Sequence, residues 1–342
     1  MVAKFRLFFT VVCCSISLSA YDFGYGYELN DNLTAGGYLA SKYKHTPNKE
    51  EIELDDVALL LYGDLSDKLS FLIELESAGT YIHRLDNGQV DESLDFKLER
   101  GYLQYLHNDL VEVRVGKFMT PVGLWNLIPI VVFREIAQKP RISTELFPKF
   151  TTGLELKLKT DTIDWDIIAQ NNDDIDKDYN NFHVKEHYGV KATYRYSDTI
   201  TGGNIGWFYD ESLALKSTYL GWHYKIDKEM FKVLSEAYYT NLKYEINKVI
   251  NGYSSKDFDK KGLFIQSTYK HSHAIHFNHR YEIFQDEMQN ADLGYSLGKY
   301  EHINVLGVHY RPLSNISLKM EYQVSSFKKD DEIAVVSFSV LF

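Results

Sequence analysis

The chain has 342 residues, 37 of them Lys or Arg and 48 Asp or Glu, for a formal net charge of −11. Hydrophobic residues make up 44% and aromatics 15%, which excludes a disordered chain, and the acidic balance argues against a nucleic-acid binder, which carries a basic face. No apolar run reaches the roughly 20 residues of a membrane-spanning helix, while the length admits one large all-β barrel.

Residues 1–20 read as a secretory signal. Lys4 and Arg6 supply the positive start, Leu7 to Ile16 the short apolar stretch, and Ser19-Ala20 the small residues before an expected cut at Tyr21. Cys13 and Cys14 both lie inside it, so residues 21–342 form a single expected domain that needs no disulfide and offers no thiolate zinc site.

From there the dominant period is two. Leu154, Leu156 and Leu158 alternate with Glu155, Lys157 and Lys159, and Leu318, Met320 and Tyr322 alternate with Lys319, Glu321 and Gln323. Such alternation marks strands with one apolar and one polar face. Sixteen segments follow it: 33–44, 52–63, 69–76, 95–106, 111–119, 151–159, 162–170, 187–197, 202–209, 214–225, 230–240, 262–270, 274–285, 301–311, 316–326 and 332–342. Three of them, 95–106, 214–225 and 301–311, alternate poorly. Residues 21–29 leave an additional strand open, expected on the periplasmic side.

Connections alternate between short gaps, such as 64–68, 107–110 and 312–315, and mostly long ones, such as 77–94, 120–150 and 241–261. Short periplasmic turns and longer extracellular loops give a transmembrane barrel this asymmetry. All six prolines, Pro47, Pro121, Pro129, Pro140, Pro148 and Pro312, fall between the segments, as a continuous ladder of donors requires. In hydrocarbon every backbone N–H and C=O must be paired, and closing the sheet removes its edges. The fold class expected is therefore an all-β transmembrane antiparallel barrel of about sixteen strands. Tyr62, Tyr105, Tyr196, Tyr224 and Tyr310, near strand ends, suit interfacial girdles. The chain ends Ala334, Val336, Phe338, Val340, Phe342 in alternation with Val335, Ser337, Ser339 and Leu341. Phe338, Val340 and Phe342 match the terminal signal that such barrels present to their assembly machinery.

The stretch Arg100-Gly-Tyr-Leu-Gln-Tyr, followed by Val111-Glu-Val-Arg-Val-Gly-Lys-Phe-Met-Thr-Pro-Val-Gly-Leu-Trp125, resembles the phosphate-selective porin O and P family of Gram-negative outer membranes. There a V-G-K/R-F strand runs into P-x-G and opens a long third loop. The resemblance implies a trimeric porin in the cell outer membrane, a channel for passive diffusion of small hydrophilic solutes and ions, anions among them. It implies a third loop, 121–150 here, folded into the lumen as a constriction. Partners that go with it are two further copies of the chain, periplasmic chaperones, the barrel-assembly machinery, outer-membrane lipid and lipopolysaccharide. Ile128, Ile130, Val131, Val132 and Phe133 independently ask for burial of that loop, and long structured loops are usually functional.

Candidate lumen and constriction residues are Arg114, Lys117, Arg134, Lys139, Arg141, Lys149 and Lys157, with Lys159 beside them. Glu135 and Glu145, like Glu112, Glu155, Asp164, Asp166, Glu282 and Glu321, interleave with these cations. A mixed lining selects ions weakly, so the family's phosphate preference does not carry over directly.

Asp174, Asp176, Asp178 and Asn180 sit at every second position, as oxygen ligands of a Ca²⁺ loop do. The glycine and distal Glu of such a loop are missing, so a solvated acidic loop is the simpler expectation, with Ca²⁺ at this extracellular loop as the alternative. No other metal or cofactor is expected. His271, His273, His276 and His279 cluster in sequence, but alternation puts His276 and His279 on opposite faces. Neither G-x-S-x-G nor H-E-x-x-H occurs, and an enzyme is not expected; the alternative to a channel is a structural or adhesive barrel, with an enzymatic one behind it.

Overall fold

In the computed structural model, residues 26–327 and 332–342 are described. The signal segment 1–20 and its cut before Tyr21 lie outside them. The strands are β1 (Tyr27–Asn30), β2 (Leu33–Thr46), β3 (Lys49–Ser66), β4 (Leu69–Arg84), β5 (Val90–Glu92), β6 (Lys97–Asn108), β7 (Val111–Met119), β8 (Phe150–Lys159) and β9 (Ile163–Asn171). They continue as β10 (Val184–Tyr196), β11 (Thr199–Asp210), β12 (Leu215–Asp227), β13 (Phe231–Ile250), β14 (Tyr253–Lys270), β15 (Ile275–Asp286), β16 (Glu301–Leu313), β17 (Ile316–Ser325) and β18 (Ile333–Leu341). Sixteen of these, all but β1 and β5, form one closed antiparallel wall in which each strand pairs with its sequence neighbours. No helix among the described residues is long and apolar enough to cross a membrane.

Closure is made by β18 against β2, from Ala334 opposite His45 to Leu341 opposite Tyr38. Two backbone bonds of 2.7 and 2.8 Å join Gly37 and Phe342 at the seam. Below it, β1 folds back onto β2 with Tyr27 opposite Ala35. The additional strand left open by the sequence is thus a short piece that continues the line of β18.

The wall is inverted relative to a water-soluble protein. Along β12, Ser217, Tyr219 and His223 are buried, while Leu220 is 56% and Trp222 43% exposed. Along β17, Lys319 and Glu321 are buried, and Met320 is 63% exposed. Outward apolar side chains recur around the wall at Val115, Leu154, Ile205, Ile265 and Leu306. A closed sheet with an apolar exterior and a polar interior is built for hydrocarbon outside and water inside.

Two sequence expectations are corrected here. Residues 241–261 are not a loop: β13 and β14 continue as a ribbon and meet at the two-residue turn Asn251-Gly252, with φ of 45° and 80°. Both central residues of a type I′ turn need positive φ, and Asn-Gly supplies it. Pro312 lies inside β16, not between strands, at the irregularity where pairing skips from Tyr310 to Leu313. A bulge spares proline the donor it lacks.

Candidate functional site

Residues 120–149 leave β7 and return to β8 after running along the inward faces of the wall. The base of the loop is pinned: Thr120 N donates to Lys149 O at 3.0 Å, and the Asn126 amide donates to Thr120 O at 2.8 Å. Pro121-Val122-Gly123 then turns the chain with Gly123 at φ +61°, where an added Cβ would sit under 3.0 Å from the Glu236 carboxylate and the Tyr238 hydroxyl. Only glycine fits both conditions. The turn aims the amides of Leu124 and Trp125 at Glu236 Oε1, each 2.7 Å away.

Loop side chains make two dry contacts. Val122, Trp125, Ile142, Leu146 and Phe147 pack against Phe208, Tyr219, Leu234, Tyr238, Phe264 and Phe284 of the wall. Ile130 and Val132 pack against Tyr38, Ala58, Leu60 and Leu341. Burial of such side chains stabilises by about 1.5–3 kcal/mol each.

An irregular segment inside a barrel must also find partners for its backbone polar groups. Charged wall side chains supply them. Lys191 donates to Gly123 O at 2.6 Å, Lys319 to Val131 O at 2.7 Å, Arg311 to Val132 O at 2.9 Å and Arg280 to Gln138 O at 2.7 Å. Glu321 accepts from the amides of Ala137 and Gln138, and Glu282 from that of Arg141 at 2.9 Å.

This reassigns most of the candidate residues. Arg134 donates to the carbonyls of Ile128 and Pro129 and lies 4.9 Å over the Trp125 ring, closing the loop on itself. Glu135 accepts from Lys232 at 3.2 Å, His276 at 3.0 Å and His309 at 3.1 Å. Burial works the other way, but the hydrogen bonds from His276 and His309 and the charge of Lys232 hold its carboxyl below the usual carboxylate range. Arg141 pairs with Glu145 and Glu301, and Glu145 lies 3.6 Å from Lys260. Lys117 is fully buried and donates to the carbonyls of Leu98, Ile175 and Asp176, so it is a structural tie and not a lumen cation. Lys149 pairs with Glu99 at 3.0 Å. Nearer the short-turn end, Arg114 pairs with Glu155 at 2.8 Å, and Lys157 lies between Glu155 and Asp166.

Lys139 differs. It is exposed to the interior and forms no ion pair among the described residues. The like charge of Lys149, enclosure by the wall and the charge of Arg134 push it down to about 8. It lines a cavity of about 620 Å³ between the loop and strands β2, β3, β4 and β18, into which Lys42, Asp55, Asp56 and Lys149 also face. Lys42 is held by Glu53 at 2.8 Å and Asp55 at 2.9 Å. The cavity thus has the cations Lys139 and Lys149 on its loop side and a mixed wall side, where Asp55 and Asp56 stand beside Lys42 and Lys44. The sequence reading missed both aspartates, as well as the anchors Lys191, Glu236, Arg280, Arg311 and Lys319; the available signal was a charge on the inward parity of a strand.

In the Asp174, Asp176, Asp178 series, Asp174 and Asp176 bond to the protein itself. Asp174 accepts from Thr152 and Asn180 at 2.6 Å each, and Asp176 accepts from Leu98 N at 2.7 Å. These carboxylates tie the fourth long loop to β6 and β8; the side chain of Asp178 lies outside the described residues. Val336, Phe338 and Val340 follow the outward parity of β18, and terminal Phe342 is 45% exposed.

No protein-family model and no curated protein sequence matches the chain. Solved structures do. An anion-selective porin from Comamonas acidovorans superposes with a TM-score of 0.63 at 10% identity, over 91% of this chain and 99% of its own. OmpT, an outer membrane protein of Vibrio cholerae, in a trimer form, gives 0.63 at 13% identity over 91% and 99%. Salmonella typhi OmpF in complex with daunomycin gives 0.62 at 13% over 91% and 98%. The chain therefore has the fold of the sixteen-stranded outer-membrane porin barrels.

Proposed function

We propose that this protein is an outer-membrane porin, a water-filled channel through which small hydrophilic solutes and ions diffuse passively, and that it works as a homotrimer and not as an enzyme. The observation that carries the reading is the cavity of about 620 Å³ left beside an internal loop within the closed wall, with Lys139 on one side and Asp55 and Asp56 on the other. A closed sixteen-stranded wall leaves an aqueous bore, and a loop anchored across it sets the size limit. Opposed charges orient polar solutes and select weakly between ion signs. An anion preference is supported by the loop cations Lys139 and Lys149 at the cavity, by the resemblance to the phosphate-selective O and P family, and by a neighbour described as anion-selective. The trimer is supported by the neighbour solved in that form.

The test is reversal-potential measurement in planar bilayers under a salt gradient. Stepwise conductance with a modest anion preference is expected. Folded, heat-modifiable protein that yields no steps overturns the channel, and a cation preference overturns the anion assignment alone.

A further inference from the structure

Glu135 of the loop meets two histidines that the wall already holds side by side. His276 of β15 and His309 of β16 are directly opposed in register, with ring centroids 5.8 Å apart. Both have inward parity and both present Nδ1 to the same oxygen, Glu135 Oε2, at 3.0 and 3.1 Å. The ligand atoms of the three residues lie within 4.8 Å of one another. We propose that Glu135, His276 and His309 form a binding site for a divalent transition metal, with Zn²⁺ as the best match, that fastens the internal loop to the wall.

The donor set is two imidazole nitrogens and one carboxylate oxygen, which suits Zn²⁺ and not the all-oxygen preference of Ca²⁺ or Mg²⁺. A tetrahedral zinc with bonds of about 2.0–2.1 Å separates its ligands by roughly 3.4 Å. The Glu135–His distances need to open by only a few tenths of an ångström to reach that edge. The surroundings match the pattern in which outer hydrogen bonds fix the ligands. The Ser317 hydroxyl sits 2.8 Å from His309 Nε2, where it takes the ring N–H once Nδ1 ligates. Asn278 donates to Glu135 O at 3.2 Å and fixes the loop backbone beneath the carboxylate. Lys232 occupies the other carboxylate oxygen. The remaining nearby cations, Lys319 and Arg311, are spent on the carbonyls of Val131 and Val132. His279, read with His276 in the sequence, faces outward and takes no part.

The experiment titrates ZnCl₂ into detergent-folded full-length protein by calorimetry and records the visible spectrum with Co²⁺ in its place. One zinc per chain and the intense bands of four-coordinate cobalt are expected. His276→Ala, His309→Ala and Glu135→Gln should each weaken binding at least tenfold. Ser317→Ala should weaken it by about tenfold, as loss of an outer partner does. His271→Ala combined with His273→Ala should leave it unchanged. A folded wild type that takes up no zinc overturns the site, as does uptake that survives His276→Ala or is lost with the two turn histidines. The cobalt spectrum needs no substitution, so it decides even where a variant fails to fold: a weak octahedral spectrum rejects the site.

Discussion

At the scale of single residues, position in the wall decides what a charge does. Lys139 is an exposed loop cation without an ion-pair partner among the described residues, and its position at about 8 makes its charge adjustable near neutrality. Below that pH it is protonated and attracts anions; as pH rises through 8 the passage loses a positive charge. A unit charge about 7 Å from a passing ion in water is worth ~0.6 kcal/mol, a factor of about three in occupancy. The charge acts oppositely on the two ion signs and about 0.8 of it is lost between pH 7 and pH 9, so the anion-to-cation permeability ratio should fall by about fivefold, most clearly at low salt. Lys139→Ala should show the low ratio already at pH 7 and no further step across that range, and Asp56→Asn should move the ratio the opposite way. A pH step that persists in Lys139→Ala assigns the titration to another group.

Outward positions obey a different rule. Val115 is 52% exposed on the apolar exterior of β7. Val115→Arg should cost about 2–4 kcal/mol if it meets the bilayer midplane, read as a lower urea midpoint in lipid vesicles, whereas Val115→Leu should be neutral. Equal midpoints would place this face away from hydrocarbon. Its neighbour Arg114 is a poor comparison, because removing it takes the 2.8 Å partner from the buried Glu155.

At the scale of elements, what was legible in the sequence and what was not separate along physical lines. The three segments that alternated poorly all have identifiable causes. In β12 the inward Tyr219 is apolar because Phe147 of the loop packs on it. In β16, Ile303 and Val305 are inward and apolar because Ile136 covers them. In β6 the pairing of β4 passes from Arg100 to Leu98, so Glu99 is the extra residue of a bulge and period two breaks. The hairpin β13–β14 was readable from Asn251-Gly252, the strongest short hairpin signal. Its alternation lapses because the pairing is irregular between Lys243 and Lys248 and the apolar residues Val249 and Ile250 are adjacent. The internal loop is held by convergence of many wall groups, and Gly123 is where it begins to dock. Gly123→Ala should push Leu124 and Trp125 off Glu236, leaving a buried carboxylate and two amides unpaired at a cost of about 1–3 kcal/mol per group. Expected is a larger, noisier conductance from a barrel whose heat-modifiability is unchanged. Wild-type conductance would show that the loop holds its place without that turn.

At the scale of the whole molecule, strand number and closure follow from period two and the alternation of short and long connections, because both are local properties of the chain. The site is not local. Which charges line water and which anchor the loop depends on strands brought together across the barrel: Glu135 meets His276 and His309, and Arg141 meets Glu282 and Glu301, only after closure. That is why Glu282, Glu321, Arg134 and Arg141 read as selectivity residues in the sequence and prove to be ties. The last residue of the chain extends the closing seam. Phe342 joins Gly37 through two backbone bonds, and its ring covers the place where a Cβ on Gly37 would sit. The backbone supplies the final rung of the seam, and we propose that the ring is the aromatic signal read by the assembly machinery. Phe342→Ala removes the ring and keeps the rung, whereas deleting Phe342 removes both. If the ring is the signal, both variants should lose most of their heat-modifiable protein in outer-membrane fractions while export continues. If the rung is what counts, the alanine variant should assemble at wild-type levels and only the deletion should fail. Normal assembly of the deletion would refute both roles and leave the seam to the eight β18–β2 residue pairs above it.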